Sequence, residues 1–240
     1  MNQENTRHTI YKVTDQAMQT HNGFQWVLNE LHQTSGEGVL PGPGWLHACT
    51  SPYLSILLNP LQADIKEPRL FRGEAWGACR EDDGLKVGYA NMVLLEELPV
   101  PQFTERQRVA FAVFCVQAIC DDLSFHQWAQ NYLSREGRAW KQAVNLQEVW
   151  KTAKGAVTAA GSVRAAAECI EEVEGVAAEV VSQARALVEK MAEVAAMYVA
   201  KTGAAGAVGA APETAVWAVE AGKPIDLIAL AERAYNFERE

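Results

Sequence analysis

Ala156, Ala159, Val163, Ala166, Ile170, Val173, Ala177, Val180, Ala184, Leu187, Met191, Val194 and Tyr198 stand alternately three and four residues apart. Such spacing is the seam of a coiled coil or of a long antiparallel helical hairpin. Alanine at so many seam positions allows close approach but buries little area per residue, so the seam needs a multi-helix bundle to be stable. Gly155, Gly161 and Gly175 weaken the helices further, at about 1 kcal/mol each relative to alanine. Ile170, Val173, Val180, Leu187, Met191, Val194 and Tyr198 are the larger residues of the run and the candidate oligomerisation contacts.

Working toward the N-terminus, the pattern changes near Asn145. The front of the chain is irregular and holds all five histidines, His8, His21, His32, His47 and His126. Ile10–Thr14 reads as a strand and Trp45–Cys49 as a short buried one. Arg69–Trp76, Leu85–Tyr89 and Asn91–Leu98 alternate as further strands, with Asp82-Asp83-Gly84 as a hairpin turn. Phe24, Val27, Leu28 and Leu31 share a helical face, which predicts a helix over 24–31. Ser51 and Pro52 open a second helix that Asn59-Pro60 should stop near Leu58. Residues 35–44 form a glycine–proline loop. Thr104–Gln107 is a capping box before an apolar helix, Val109–Cys120, and Ser124 starts a shorter one. Pro212 opens a helix through Trp217, and a last one runs from Ile225 to about Tyr235. The expected fold is α+β: a small mixed N-terminal α/β domain followed by a predominantly helical, alanine-rich bundle or coiled-coil region. The expected divisions are 1–103 (α+β domain), 104–144 (buried helical extension) and 145–240 (helical region).

Composition narrows the function. The chain has 240 residues, 49% of them hydrophobic, and a formal net charge of −9. That acidity disfavours direct binding to a phosphate backbone, which requires lysine and arginine. No window holds the roughly 18 apolar residues needed to span a bilayer, and Met1–His8 lacks the apolar core of a signal peptide. The expected location is the cytoplasm. The five cysteines (Cys49, Cys79, Cys115, Cys120, Cys169) form no CxxC pair, and reduced, buried thiols are expected. His47 and Cys49, with His21 and His32, lack the tight paired spacing of structural zinc. No metal and no cofactor are expected. Gly36–Gly44 has no GKS or GKT, and its prolines remove backbone donors that a phosphate would need. The paired acids Glu96-Glu97 point to opposite faces of a strand and cannot share a site unless it bulges. Trp45, beside the glycine–proline loop, is the tryptophan best placed to line a ligand pocket.

Gly42–Ala48, Ser51–Pro60, Lys66–Phe71, Gly84–Gly88, Thr104–Phe111 and Ser124-Phe125 together resemble a family of uncharacterised proteins of tailed phages and prophages. The closing Ile225–Glu232 and the alanine-rich helical region before it extend the resemblance. It implies an accessory role and brings no established activity, cofactor or catalytic residue. The first reading is therefore a non-enzymatic phage accessory protein that, in the host's cytoplasm, binds a host factor or small nucleotide-like signalling molecule, with countering a bacterial defence system as its expected effect. The helical region could make it a homo-oligomer. A second reading is an ADP-ribosyltransferase-like enzyme, since Trp45–Ala48, Ser51–Leu58 and Arg69–Gly77 look similar to part of the nicotinamide pocket of those enzymes. No His–Tyr–Glu or Arg–Ser–Glu set falls in the expected order. A third is a phage structural or assembly protein. The candidate ligand-binding residues are Trp45, His47, Tyr53 and Glu74; no catalytic residue is assigned.

Overall fold

A computed structural model describes residues 6–82, 84–119, 121, 123–134, 210–220 and 222–237. The described residues up to Phe103, with Asp226–Asn236, make one compact unit; those from Thr104 to Ile225, with Phe237, make another.

The first unit is framed by two long strands, which we number β6 (Arg69–Asp82) and β7 (Lys86–Leu98), after β1 (His8–Thr14), β2 (Gln19–Thr20), β3 (Phe24–Gln25), β4 (Leu31–Gln33) and β5 (Leu46–Ala48). The β6–β7 turn closes with Leu85 N–H donating to Asp82 O at 2.7 Å, and Gly84 takes the left-handed φ of 80° that the turn requires. β1 lies antiparallel on the outer edge of β6, with Ile10 opposite Gly73 and Tyr11 opposite Arg72. The other edge of β7 carries β5 at 87–89 and β4 at 91–93, both antiparallel. Just past β5, Cys49 exchanges two backbone hydrogen bonds with Tyr11 of β1, at 2.8 and 2.9 Å. The pairings thus run β1–β6–β7–β5 and back to β1, a closed ring of strands.

Alternation supplies its core. Ile10, Trp26, Leu46, Ala48, Phe71, Ala75, Val87, Tyr89, Met92 and Leu94 form one buried cluster. Each large apolar member contributes about 1.5–3 kcal/mol by leaving water. Register shifts at Arg72/Gly73 and Trp76/Cys79 bend the long strands, as bulges do. Gly73 sits where the strands crowd: a Cβ there would lie 2.3 Å from Val93 O and 3.0 Å from Ile10 Cδ1.

Helix α1 (Pro52–Gln62) follows β5. Ser51 caps it, its Oγ accepting from Leu54 N–H at 3.4 Å, with Pro52 in the first turn. It continues through Pro60 rather than stopping near Leu58. Proline removes only one intrahelical donor so close to the end, and Asn59 closes the terminus by accepting from Ala63 and Asp64 N–H at 3.0 and 2.7 Å. α1 packs on the last described helix, which belongs to this unit; there Tyr53 meets Tyr235 at 4.4 Å between ring centroids and Phe103 at 6.3 Å.

In the second unit, α2 (Glu105–Ile119) starts at the expected capping box. Thr104 Oγ1 accepts from Gln107 N–H at 3.1 Å, and Gln107 Oε1 accepts from Thr104 N–H at 2.9 Å. Val109–Val116 is buried throughout. α3 (Leu123–Leu133) and α4 (Ala210–Glu220) pack against α2, and α5 (Leu227–Asn236) is the helix that returns to the first unit.

Two expectations are corrected. The fold is not a small mixed α/β domain leading into a predominantly helical half: among the described residues a large antiparallel sheet dominates, and the helices are short. The alanine-rich seam, including Ile170, Val173, Val180, Leu187, Met191, Val194 and Tyr198, lies outside the described residues. The helix expected over 24–31 is also absent. Asn22, Gly23 and Asn29 take positive φ values of 59°, 71° and 60°, which break any helix, and the segment forms β3, a turn and β4. Its apolar spacing marks no buried face, since Phe24, Val27, Leu28 and Leu31 remain 37–45% exposed.

Replacing Gly73 by alanine should lower stability by about 1–3 kcal/mol through overpacking against the Val93 carbonyl. Chemical denaturation with an unchanged m-value would show this; a neutral effect would mean that the ring tolerates widening there.

Candidate functional site

The β1–β5 seam is where the ring closes and where its unusual chemistry gathers. The alternation of β1 puts Lys12 on the face of Ile10 and Thr14, both fully buried. Its ammonium donates to His47 O at 2.5 Å and stands 5.0 Å from the centroid of the Trp26 ring. Lys12 keeps some exposed area as a residue, yet enough protein surrounds its amine to desolvate it. Burial lowers its pKa from the usual 10.5 to about 8, opposed in part by the field of Cys49. No carboxylate pairs with it among the described residues.

His47 lies opposite Gly88 in the β5–β7 register, two residues along β7 from Lys86. Its Nε2 is buried and has no hydrogen-bond partner. Burial lowers its pKa to about 4, helped by Lys12 and Lys86, resisted by a hydrogen bond to the Gly42 backbone, and helped slightly by His21. It is a neutral imidazole near pH 7. Lys86 is held by Asp82 at 3.3 Å. Cys49, buried beside the same groups, has its thiol pKa pushed up by burial and is protonated at neutral pH, which makes it a poor nucleophile.

The four expected ligand residues are held by different partners. Trp45 is 8% exposed and its indole N–H donates to Gly38 O at 3.1 Å, fastening the glycine–proline loop. Tyr53 belongs to the aromatic cluster with Phe103 and Tyr235. The Glu74 carboxylate is held by Arg7 at 2.7 Å. No hydrogen bond, ion pair or ring contact joins any two of Trp45, His47, Tyr53 and Glu74. His47 alone sits in the cationic cluster, whose other members, Lys12, Lys86 and His21, were not among the expected residues. Lys12 had a signal: in Ile10-Tyr11-Lys12-Val13-Thr14 it occupies the apolar face of the alternation. Lys86 had none, since it is brought to His47 by pairing between segments far apart in sequence.

Among the described residues no group of three histidine, cysteine or acidic side chains could hold a metal, and no helix is long and apolar enough to cross a membrane. Comparison with family models, curated proteins and solved structures found no match to this chain.

His47 makes stability depend on acid. The unfolded imidazole takes up a proton as pH falls through about 6.5, the folded one only near 4. The unfolded chain therefore binds more protons in that window, and stability should fall as pH drops across it. Thermal melts of wild type and His47→Gln from pH 7 to 4.5 check this. The variant should lose much of the slope, and an unchanged slope would remove His47 as its source.

Proposed function

We propose that this protein is a non-enzymatic binding protein for a small hydroxyl-bearing anion of the sugar-phosphate or nucleotide class. One observation carries the reading: the buried, unpartnered Nε2 of His47, in a residue that feels the positive charges of Lys12 and Lys86 within a chain of net charge −9. An unsatisfied buried acceptor costs about 1–3 kcal/mol, and a lysine without a counter-ion adds to that cost. A phosphoester would offset both, its charge facing the lysines and a neighbouring hydroxyl donating to the neutral imidazole. Lys12 supplies attraction, Lys86 adds what its pairing with Asp82 leaves it, and the acceptor nitrogen supplies selectivity for a ligand that carries a donor.

The resemblance to a tailed-phage family supports an accessory role for such binding, in which the protein withholds a signalling nucleotide from the host's defence. The Arg7-bound Glu74 and the aromatic packing of Tyr53, two of the residues nearest to a transferase set, weigh against the transferase reading.

Thermal-shift titration should show Tm rising with ribose 5-phosphate or a nucleoside monophosphate, more than with inorganic phosphate at the same ionic strength. Lys86→Ala should weaken binding about tenfold, the loss of one charge-assisted contact of roughly 1.4 kcal/mol. If no phosphoester shifts Tm, the reading fails, and capture from host lysate would then ask whether a protein is the partner.

A further inference from the structure

We propose that the outer edge of β4 is a strand-addition site for a short extended peptide of a partner protein, one whose apolar residues are flanked by lysine or arginine. The register of β4 decides which of its backbone groups face outward. Thr34 N–H donates to Ala90 O at 2.8 Å, and His32 stands opposite Met92 in the same antiparallel register. Positions along an antiparallel pair alternate between hydrogen-bonded and non-hydrogen-bonded. His32 and Thr34 therefore bond to β7, whereas Leu31 and Gln33 turn their N–H and C=O groups away from it. No second strand among the described residues pairs with β4, and both residues are exposed. Natural proteins often shield such an edge with lysine, proline or a bulge; Leu31-His32-Gln33 carries none of these.

An apolar patch borders this edge. Phe24, Val27, Leu28 and Leu31 are 37–45% exposed. Phe24 lies against the His32 ring, at 5.4 Å between centroids, and Val27 N–H donates to His32 Nε2 at 3.3 Å. Leu28 bridges to Leu94, next to the Val93 that stands opposite Leu31. Asn29, with its positive φ of 60°, turns the chain from Leu28 into β4 and so gathers these side chains at one place.

The size of the surface identifies its occupant. Four side chains at this exposure offer on the order of 300 Å², well short of the roughly 800 Å² that each partner buries in a stable dimer. A second copy is a poor fit and a single strand a good one, its backbone bonding to Leu31 and Gln33 and its side chains meeting the patch. Glu30 adjoins β4 and Glu37 follows it; both are exposed and have no salt bridge among the described residues. They favour a peptide with basic ends, as does the net charge of −9.

The probe is an acetylated and amidated Lys-Val-Thr-Val-Thr-Val-Lys peptide, added to the isotope-labelled full-length protein and followed by NMR. The Leu31 and Gln33 amide signals should shift, and their hydrogen exchange should slow at least about tenfold at saturation. Proline in place of both threonines, which removes backbone donors, should weaken binding at least about tenfold. Leu31→Lys should weaken it as much, and Glu30→Lys should reverse the preference toward a glutamate-flanked peptide. Both positions are exposed, so Tm should hold in these variants. No shift at Leu31 and Gln33 with millimolar peptide, equal binding of the proline peptide, or protection of these amides before peptide is added would overturn the proposal. So would dimerisation in light scattering that Leu31→Lys abolishes, which would make a second copy the occupant. The probe is a cation, so its binding is read independently of any anion at His47.

Discussion

The β1–β5 closure is the constraint on which the first unit depends. Two long strands paired as a hairpin would by themselves make a twisted ribbon with open edges, and such edges invite association. Here β1 covers one edge, β4 and β5 cover the other, and the Tyr11–Cys49 exchange joins the two sides. Two backbone hydrogen bonds, each worth about 1 kcal/mol net, are a slender link. The Lys12 bond to His47 O adds a third across the same gap. The core behind it, from Ile10 to Leu94, stays dry only while the ring is shut. Small groups at the seam therefore control a much larger hydrophobic term.

Charge is treated differently along the sheet. On β6, Arg69 pairs with Glu97 at 2.6 Å and Arg72 with Glu96 at 2.6 Å, Arg80 donates to Gly38 O at 2.7 Å, and Arg7 stacks over Trp76 and pairs with Glu74. These pairs are largely exposed, and pairs of that kind contribute at most about 1 kcal/mol each. They keep the surface matched rather than hold the fold. The seam reverses the arrangement. Its lysine is desolvated and without a carboxylate, and its histidine is neutral with one nitrogen unsatisfied. A fold that pairs exposed arginines while leaving a desolvated lysine without a carboxylate has placed an electrostatic mismatch at this seam. Sites that do chemistry or bind charge are where such mismatches concentrate.

Much of the fold was legible locally. Alternation in Arg69–Trp76, Leu85–Tyr89 and Asn91–Leu98 announced strands, though the last two are one continuous strand, while Asp82-Asp83-Gly84 marked the turn and Ser51-Pro52 and Thr104–Gln107 the starts of two helices. Each of these signals lives within a few residues and rests on a backbone or capping preference. Segment 24–31 misled because apolar spacing was read without the left-handed residues Asn22, Gly23 and Asn29, which decide its backbone. The weight placed on the alanine-rich seam also hid how much of the first unit is sheet. Of the candidate site, His47 was legible as a polar residue in a short buried strand. Lys86 and the closure of the ring were not, because both follow from pairing between segments distant in the chain.

Lys12 joins these strands of argument. A leucine or methionine at this position of β1 would satisfy the hydrophobic requirement at no electrostatic cost, but it could not reach across to the His47 carbonyl. A glutamine could donate to that carbonyl, but it would bring no positive charge. The lysine makes the bond and brings the charge, in a spot where burial lowers its pKa to about 8. Anything that shifts its protonation acts on the ring as well. An anion beside the amine would stabilise the ammonium and its bond to His47 O, which ties the charge around the seam to how firmly the strands are held.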